Sequence, residues 1–139
     1  MTNTYTLEEI TGISAALGQL DGVYKETKDG QYALVPFKFD DSTRWNIAKN
    51  RRLLKAEIEL YSEARDAIIK ELSPINHDLT KETAKERESF AARNKELLKN
   101  SVELPGLLKL KKSSLLKDDG NPIAGSVLEL LIPIVDETT

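Results

Sequence analysis

Hydrophobic residues near the start of the chain recur at intervals of three and four, which is the spacing of one helix face. The positions are Leu7, Ile10, Ile13, Ala16, Leu17 and Leu20. Thr6 and Glu9 are the residue pair of a capping box, in which each side chain accepts a hydrogen bond from the backbone of the other. The pattern predicts a first helix of about four turns that packs on one side and ends at Asp21-Gly22.

The pattern changes to that of a β-hairpin after Gly22. Residues 23–27 and 31–35 are rich in β-formers, and Asp29-Gly30 between them is a strong turn signal. Pro36 on the second arm places that strand at an edge or at a bend. Because a lone two-stranded hairpin is marginally stable in water, we expect this one to pair with a third strand or to lie across a helix.

The longest pattern is that of one charged helix, which starts near Ser42 and ends at Ser73-Pro74. Its hydrophobic positions recur every seven residues and form a heptad-like stripe through Ile47, Leu54, Tyr61 and Ile68. A helix of about 30 residues spans about 45 Å, which is more than a domain of this size easily covers. We therefore expect the stripe to be exposed and to bind a partner.

A second charged helix is predicted over residues 80–100, joined to the first by the short segment 75–79. Alternation at residues 108–111 predicts a strand, and Asn121-Pro122 predicts the start of a last helix over residues 123–132. The predicted fold class is α+β and mostly helical: a long antiparallel helical hairpin, flanking amino- and carboxy-terminal helices, and a small antiparallel β-hairpin or sheet. We expect a single domain over residues 1–139, divided into 1–40, 41–103 and 104–139.

Composition excludes several kinds of site. The chain has no cysteine and one histidine, His77, which excludes disulfides, thiolate metal sites and His-rich zinc sites. A net charge of −3 argues against a surface adapted throughout to a phosphate backbone. The first residues lack the pattern of a signal peptide, and the longest apolar run, residues 123–135, is too short for a bilayer. We therefore expect a cytoplasmic protein that does not enter a membrane.

A basic cluster opens the long helix. Its members are Arg44, Lys49, Arg51, Arg52 and Lys55, with no acidic residue among them. Such a cluster could bind the phosphates of a nucleotide or nucleic acid, or an acidic partner. The alternative is a solvated helix face whose cations pair with Glu57, Glu59 and other acidic residues.

The single tryptophan, Trp45, lies on the first turn of the same helix. We expect its ring to be buried at the junction of hairpin and helix, because Phe37 and Phe39 precede it by only a few residues. The alternative is an aromatic anchor at an interface, where Trp and Arg are enriched. Trp45 therefore joins the five cations of the basic cluster as a candidate binding residue.

No motif for catalysis is recognisable. His77 lies beside Asp78 with Ser73 nearby, but nothing resembles a nucleophile elbow or a triad motif, so we interpret His77 as an ordinary turn residue. Carboxylates are plentiful enough that pairs such as Glu59 and Glu63 arise by chance. The sequence predicts no enzyme activity, no cofactor and no metal site.

One stretch carries a resemblance to a known group of proteins. It starts at Phe39, includes Ala48-Lys49-Asn50 at the opening of the long helix, and continues with Glu57, Tyr61 and Arg65. In this stretch, in residues 88–102 and in its Leu-rich end, the chain resembles a group of small tailed-phage proteins. The hairpin and Arg51-Arg52 depart from that pattern. The resemblance implies a phage or prophage origin and no particular activity.

These patterns predict a non-enzymatic protein that functions by binding, and the resemblance implies that it is phage-type. We expect a homodimer formed through the heptad-like stripe, with a protein of the phage or its host as a further partner, in the host cytoplasm if the chain is phage-encoded. The alternative is a small-ligand or nucleotide binder in which the basic cluster and the aromatic residues of the hairpin hold an anion. Nucleic acid is a less favoured partner because the net charge is negative.

Overall fold

Five helices and three two-stranded sheets make up the part of the chain that the computed structural model describes, residues 3–116 and 122–136. The helices are α1 (Leu7–Gly18), α2 (Asp41–Leu72), α3 (Ala84–Leu98), α4 (Lys112–Leu115) and α5 (Gly125–Leu131). The strands are β1 (Thr4–Thr6), β2 (Gly22–Glu26), β3 (Tyr32–Pro36), β4 (Ser101–Glu103), β5 (Leu110–Lys111) and β6 (Val135–Asp136). The predicted fold class, α+β and mostly helical, is confirmed.

Helix α1 begins with the predicted capping box. The Thr6 hydroxyl accepts a hydrogen bond from the backbone N–H of Glu9 at 3.1 Å, and the Glu9 carboxylate accepts one from the N–H of Thr6 at 3.0 Å. The predicted apolar face of α1 is buried and lies at the centre of the core. That core also draws residues from α2, from the segment after β4 and from α5, so all three predicted segments share it.

Strands β2 and β3 form the predicted antiparallel hairpin, with Val23 opposite Val35. Gly30 in its turn has a φ of +77°. Gly22 has a φ of +152°, and a Cβ there would lie 2.2 Å from the carbonyl oxygen of Val35, so only glycine fits this close approach. Of the two expectations for the hairpin, pairing with a third strand is not found among the described residues, where β2 and β3 pair only with each other. Val23 at the base packs on the core instead.

Helix α2 starts at Asp41 rather than at Ser42, and its N-cap is Asp40, whose carboxylate accepts a hydrogen bond from the N–H of Thr43 at 2.7 Å. The heptad-like stripe faces inward along the whole helix. Ile47 and Leu54 are buried in the core, whereas Tyr61 and Ile68 are half-buried and lie against α3. The expectation of an exposed stripe is wrong, because the body and α3 of the same chain cover it.

The helical hairpin of α2 and α3 extends beyond the core as an arm. Helix α3 has no fully buried residue. It starts later than predicted, because residues 79–81 form a 3₁₀ turn. At the tip, the fully buried Ser73 hydroxyl donates to the Glu82 carboxylate at 2.8 Å and accepts from the Asp78 N–H at 3.2 Å. These bonds fix the connection between the two helices.

The carboxy-terminal part departs most from expectation. Strand β4 pairs antiparallel with β1, a sheet that the pattern did not predict. The predicted strand over residues 108–111 is shortened to β5, which pairs in parallel with β6. Helix α5 is shorter than predicted, and its N-cap is Ala124. The predicted cap at Asn121 lies outside the described residues.

Candidate interaction surface on the long helix

All six candidate binding residues are exposed on the first half of α2. With 3.6 residues per turn, they divide into two neighbouring groups. Arg44, Arg51 and Lys55 lie on the side of α2 next to the base of the hairpin. Trp45, Lys49 and Arg52 lie further round, on the outer side, and we call these three the tryptophan patch.

Trp45 is 66% exposed, so its predicted burial is wrong. Phe37 is buried and packs against Phe39, with 6.0 Å between the ring centroids. The α2 residues that face the core at this level are Thr43 and Ile47, which are buried. Trp45 lies two positions after Thr43 and two before Ile47, and on a helix this places its side chain on the opposite side.

The tryptophan patch has its own internal contact. The Lys49 ammonium nitrogen lies 6.0 Å from the centroid of the Trp45 ring, at the edge of cation–π range. The patch therefore presents a large aromatic ring with a cation held beside it. Interfaces between proteins are enriched in this combination of side chains.

Arg51 is the one member of the basic cluster with an ion pair among the described residues. Its guanidinium donates to Asp21 at 3.0 Å, and both side chains are about half exposed. This pair links the end of α1 to α2. A surface pair of this kind contributes little to stability, because solvent screens it.

The remaining cations of the cluster do not pair as the solvated-face alternative predicts. Within the described ranges, the side chains of Arg44, Arg52 and Lys55 form no ion pair and no hydrogen bond. Neither Glu57 nor Glu59 forms an ion pair with any of these cations. Apart from Arg51, the basic cluster therefore carries positive charge that forms no ion pair with the described part of the chain.

A cavity of about 420 Å³ lies between the base of the hairpin and α2. Arg44 and Arg51 line it on one side, and Phe37 and Phe39 line it on the other. The structure thus brings part of the basic cluster together with two aromatic residues from the segment after β3. The cavity is open, and Arg51 in it already contacts Asp21.

Two further surfaces are exposed. One face of the hairpin presents Tyr24, which is 71% exposed, with Tyr32 and Leu34 beside it. The second is the continuation of the outer side of α2, where Glu59, Glu63 and Asp66 are exposed, and we call these three the acidic segment. The helical spacing of Glu59 and Glu63 was visible in the sequence, where it was interpreted as chance.

The tip of the arm holds the histidine that was considered for catalysis. His77 is exposed and has a φ of +50°, a turn conformation that is uncommon for this residue. The pKa of the neighbouring Asp78 is lowered by hydrogen bonds from the hydroxyl and then the backbone N–H of Thr80. The pKa of Glu86 is lowered mainly by a hydrogen bond from the hydroxyl of Thr83. The Asp78 contacts cap the 3₁₀ turn at residues 79–81, whereas the Glu86 contact joins two side chains at the start of α3.

The described residues show neither a cluster of metal-binding side chains nor a helix suited to cross a membrane. Residues 3–116 and 122–136 contain no group of three or more His, Asp or Glu side chains placed to hold a metal ion. No helix in these two ranges has the length and apolar character needed to cross a membrane.

Comparison of the chain with protein-family models, with curated proteins and with solved structures finds no match. The resemblance to tailed-phage proteins therefore stays a prediction.

Proposed function

We propose that the protein functions by binding an acidic protein surface through the tryptophan patch. The observation that carries this proposal is the exposure of Trp45, a large aromatic side chain beside Lys49 and Arg52, neither of which forms an ion pair within residues 3–116 and 122–136. Covering such a ring removes apolar area from water, and Trp is among the residues that contribute most when buried at an interface. The cations add attraction at a distance and orient the approaching partner.

The distribution of charge along α2 favours a protein partner over a nucleic acid. A nucleic acid strand that followed α2 would place phosphates against the acidic segment, because Glu59 and Glu63 are exposed on the side that carries Lys49 and Arg52. A protein can instead present a short acidic surface to the patch alone. If the resemblance holds, that partner is a protein of the phage or its host.

The single tryptophan provides a direct readout of this binding. The probe is poly-L-glutamate, and duplex DNA of equal total charge serves as the comparison. We expect the emission of Trp45 to shift to shorter wavelength on addition of polyglutamate, with an affinity that falls as salt rises. The variant with Lys49→Glu and Arg52→Glu should lose this response.

The matched control reverses Lys85 and Lys95 to Glu, which makes the same change of charge on exposed positions of α3. This control should respond like the wild type. Tighter binding of duplex DNA than of polyglutamate, or equal responses from both reversed variants, would contradict the proposal.

A second candidate function is favoured by the cavity between the hairpin and α2. Arg44 and Arg51 could hold the phosphates of a nucleotide there, while Phe37 and Phe39 contact its base. Calorimetric titration with ATP would test this, because Arg44→Gln and Arg51→Gln should each weaken binding whereas Arg52→Gln should not. No heat of binding for the wild-type protein would exclude the nucleotide.

A further inference from the structure

We infer that the acidic surface bound by the tryptophan patch is the acidic segment of a second copy of the chain, so that two α2 helices pair antiparallel along their outer sides with Ala56 at the centre. This inference rests on the proposed function and names its partner. It replaces the predicted dimer through the heptad-like stripe, which the chain itself covers.

The outer side of α2 carries a continuous seam of exposed residues. The seam alternates steps of four and three residues through Trp45, Lys49, Arg52, Ala56, Glu59, Glu63, Asp66 and Lys70, all of which are exposed. This is the spacing at which two helices stay in contact over their whole length. The seam lies on the opposite side of the helix from the buried Ile47 and Leu54, so the body does not occupy it.

The charges along the seam of one copy are complementary to those along the seam of a second copy in antiparallel orientation. Lys49 and Glu63 each lie seven residues from Ala56, or about 10.5 Å along the axis, on opposite sides of it. Arg52 lies about 6 Å before the centre and Glu59 about 4.5 Å after it. In an antiparallel pair, Lys49 of one copy therefore meets Glu63 of the other, and Arg52 meets Glu59. Each contact occurs twice because the pair is symmetric.

The antiparallel pair also accounts for the grouping of positive charges in one half of the seam and negative charges in the other. Neighbours on the seam carry like charges, since Lys49 is followed by Arg52 and Glu59 by Glu63. Like charges three or four residues apart destabilise an isolated helix slightly. A second copy in antiparallel orientation opposes each pair with charges of the other sign, whereas a parallel copy would place like on like.

The size of the side chains fits a close approach at the centre. Ala56 has the smallest side chain of the seam, and Ala67 lies eleven residues after it, where Trp45 of the other copy would arrive. Trp45 would then cover a small residue, while small side chains at the centre let helix axes approach to about 8 Å. Because every seam residue other than Trp45 and Ala56 is charged, the attraction between the two copies should weaken as salt rises.

Sedimentation equilibrium from low micromolar to near-millimolar protein tests the pairing. The wild-type protein should move from 15.5 kDa toward twice that mass as concentration rises. Arg52→Glu alone and Glu59→Arg alone should each weaken dimerisation at least tenfold, and the double variant should restore it. A mixture of the two single variants should also dimerise, because each supplies the charge that the other has lost. Lys85→Glu and Glu88→Arg, at exposed positions of α3, are the matched controls and should dimerise like the wild type.

Orientation is tested by cross-linking, which is clean because the chain has no cysteine of its own. Ala56→Cys places the two thiols at the symmetry axis, where a short bismaleimide should join them. Ala67→Cys, next to the seam residue Asp66, places them about 33 Å apart in the antiparallel pair, so it should not cross-link. Equal cross-linking of both variants would overturn the antiparallel arrangement.

The outcomes separate this inference from the proposed function. A wild-type protein that stays monomeric, or a dimer that neither Arg52→Glu nor Glu59→Arg weakens, overturns the self-pairing. If the monomeric protein still shows the patch-dependent response to polyglutamate, the proposed function stands with another acidic partner. If that response is also missing, both proposals are wrong.

Discussion

The side chain of Asn50 is hydrogen-bonded to both backbone groups of Leu108. Its amide nitrogen donates to the Leu108 carbonyl at 2.8 Å, and its carbonyl oxygen accepts from the Leu108 N–H at 2.7 Å. Asn50 is fully buried on α2, and Leu108 lies in the segment that leads into β5. One side chain therefore pairs with the backbone much as a neighbouring strand would, and it joins the long helix to the carboxy-terminal third of the chain.

Replacing Asn50 should be among the costly single changes on α2. Asn50→Leu removes both partners from the backbone groups of Leu108, and unsatisfied buried groups cost about 1–3 kcal/mol each. With two such groups, we expect the free energy of unfolding to fall by about 2–6 kcal/mol. Urea unfolding followed by circular dichroism measures it. Asn46→Leu is the control on the same helix, and equal stability of the two variants would contradict the role of Asn50.

Trp45→Ala should leave the stability of the fold almost unchanged. An exposed side chain without core contacts contributes within about 0.5 kcal/mol, whereas Leu54→Ala removes a fully buried residue and should cost about 2–5 kcal/mol. Thermal melts of both variants beside the wild type give the comparison. At low protein concentration the tryptophan of the wild type should emit as in water. A large loss of stability in Trp45→Ala would mean that the ring packs on the body.

Local signals were sufficient to predict α1, α2 and the hairpin, whereas α4 was not predicted. The capping box at Thr6 and Glu9, the Asp29-Gly30 turn and the stop at Ser73-Pro74 all act within a few residues, so the sequence shows them directly. The sheet of β1 and β4 could not be found in this way, because it joins two three-residue strands nearly a hundred positions apart. Segments so short carry no periodicity.

The position of the candidate residues on the first half of α2 was predicted, whereas the exposure of Trp45 was not. The basic cluster was identified correctly as a group on the first half of α2. Burial of Trp45 was wrong because nearness in sequence to Phe37 and Phe39 was taken as nearness in space, while helix geometry turns the ring away. The two hydrogen bonds of Asn50 could not be predicted, since its partner lies 58 positions further along the chain.

The carboxylate of Asp78 should stabilise the tip of the arm only while it is ionised. Its pKa is held below the ordinary value of 3.8 by the hydroxyl of Thr80, which donates to it at 2.6 Å, and by the N–H of the same residue at 3.0 Å. A lowered folded-state pKa means that the stabilisation is fully present above the unfolded-state pKa and is lost as pH falls through the folded-state value.

Titration of the Asp78 carboxyl carbon by NMR should therefore show a midpoint below 3.8. Thr80→Val should raise that midpoint, because it removes the hydroxyl and leaves the N–H. The wild type should be more stable than Asp78→Asn at neutral pH, and the difference should shrink as the pH falls through the measured midpoint. A difference that stays constant over this range would show that the charge of Asp78 does not contribute.

Removing the hydroxyl of Tyr5 and removing that of Tyr61 should have different effects on the free energy of unfolding. The hydroxyl of Tyr5 is buried and has no hydrogen-bond partner within the described residues, whereas that of Tyr61 donates to the side-chain oxygen of Asn94 at 2.9 Å. A buried hydroxyl without a partner carries a desolvation cost that Phe does not. A paired hydroxyl contributes roughly 0.5–1.5 kcal/mol.

Tyr5→Phe should therefore leave the free energy of unfolding unchanged or raise it by up to about 1–2 kcal/mol, since it removes only the unpaired group and keeps the ring in the core. Tyr61→Phe should lower it by roughly 0.5–1.5 kcal/mol, because it breaks the bond that joins α2 to α3. Urea unfolding at one pH compares the two variants directly, and each serves as the control for the loss of a phenol in the other. A destabilised Tyr5→Phe would show that its hydroxyl has a partner in solution, and the edge of the core around β1 would then need a polar contact that the described residues do not supply.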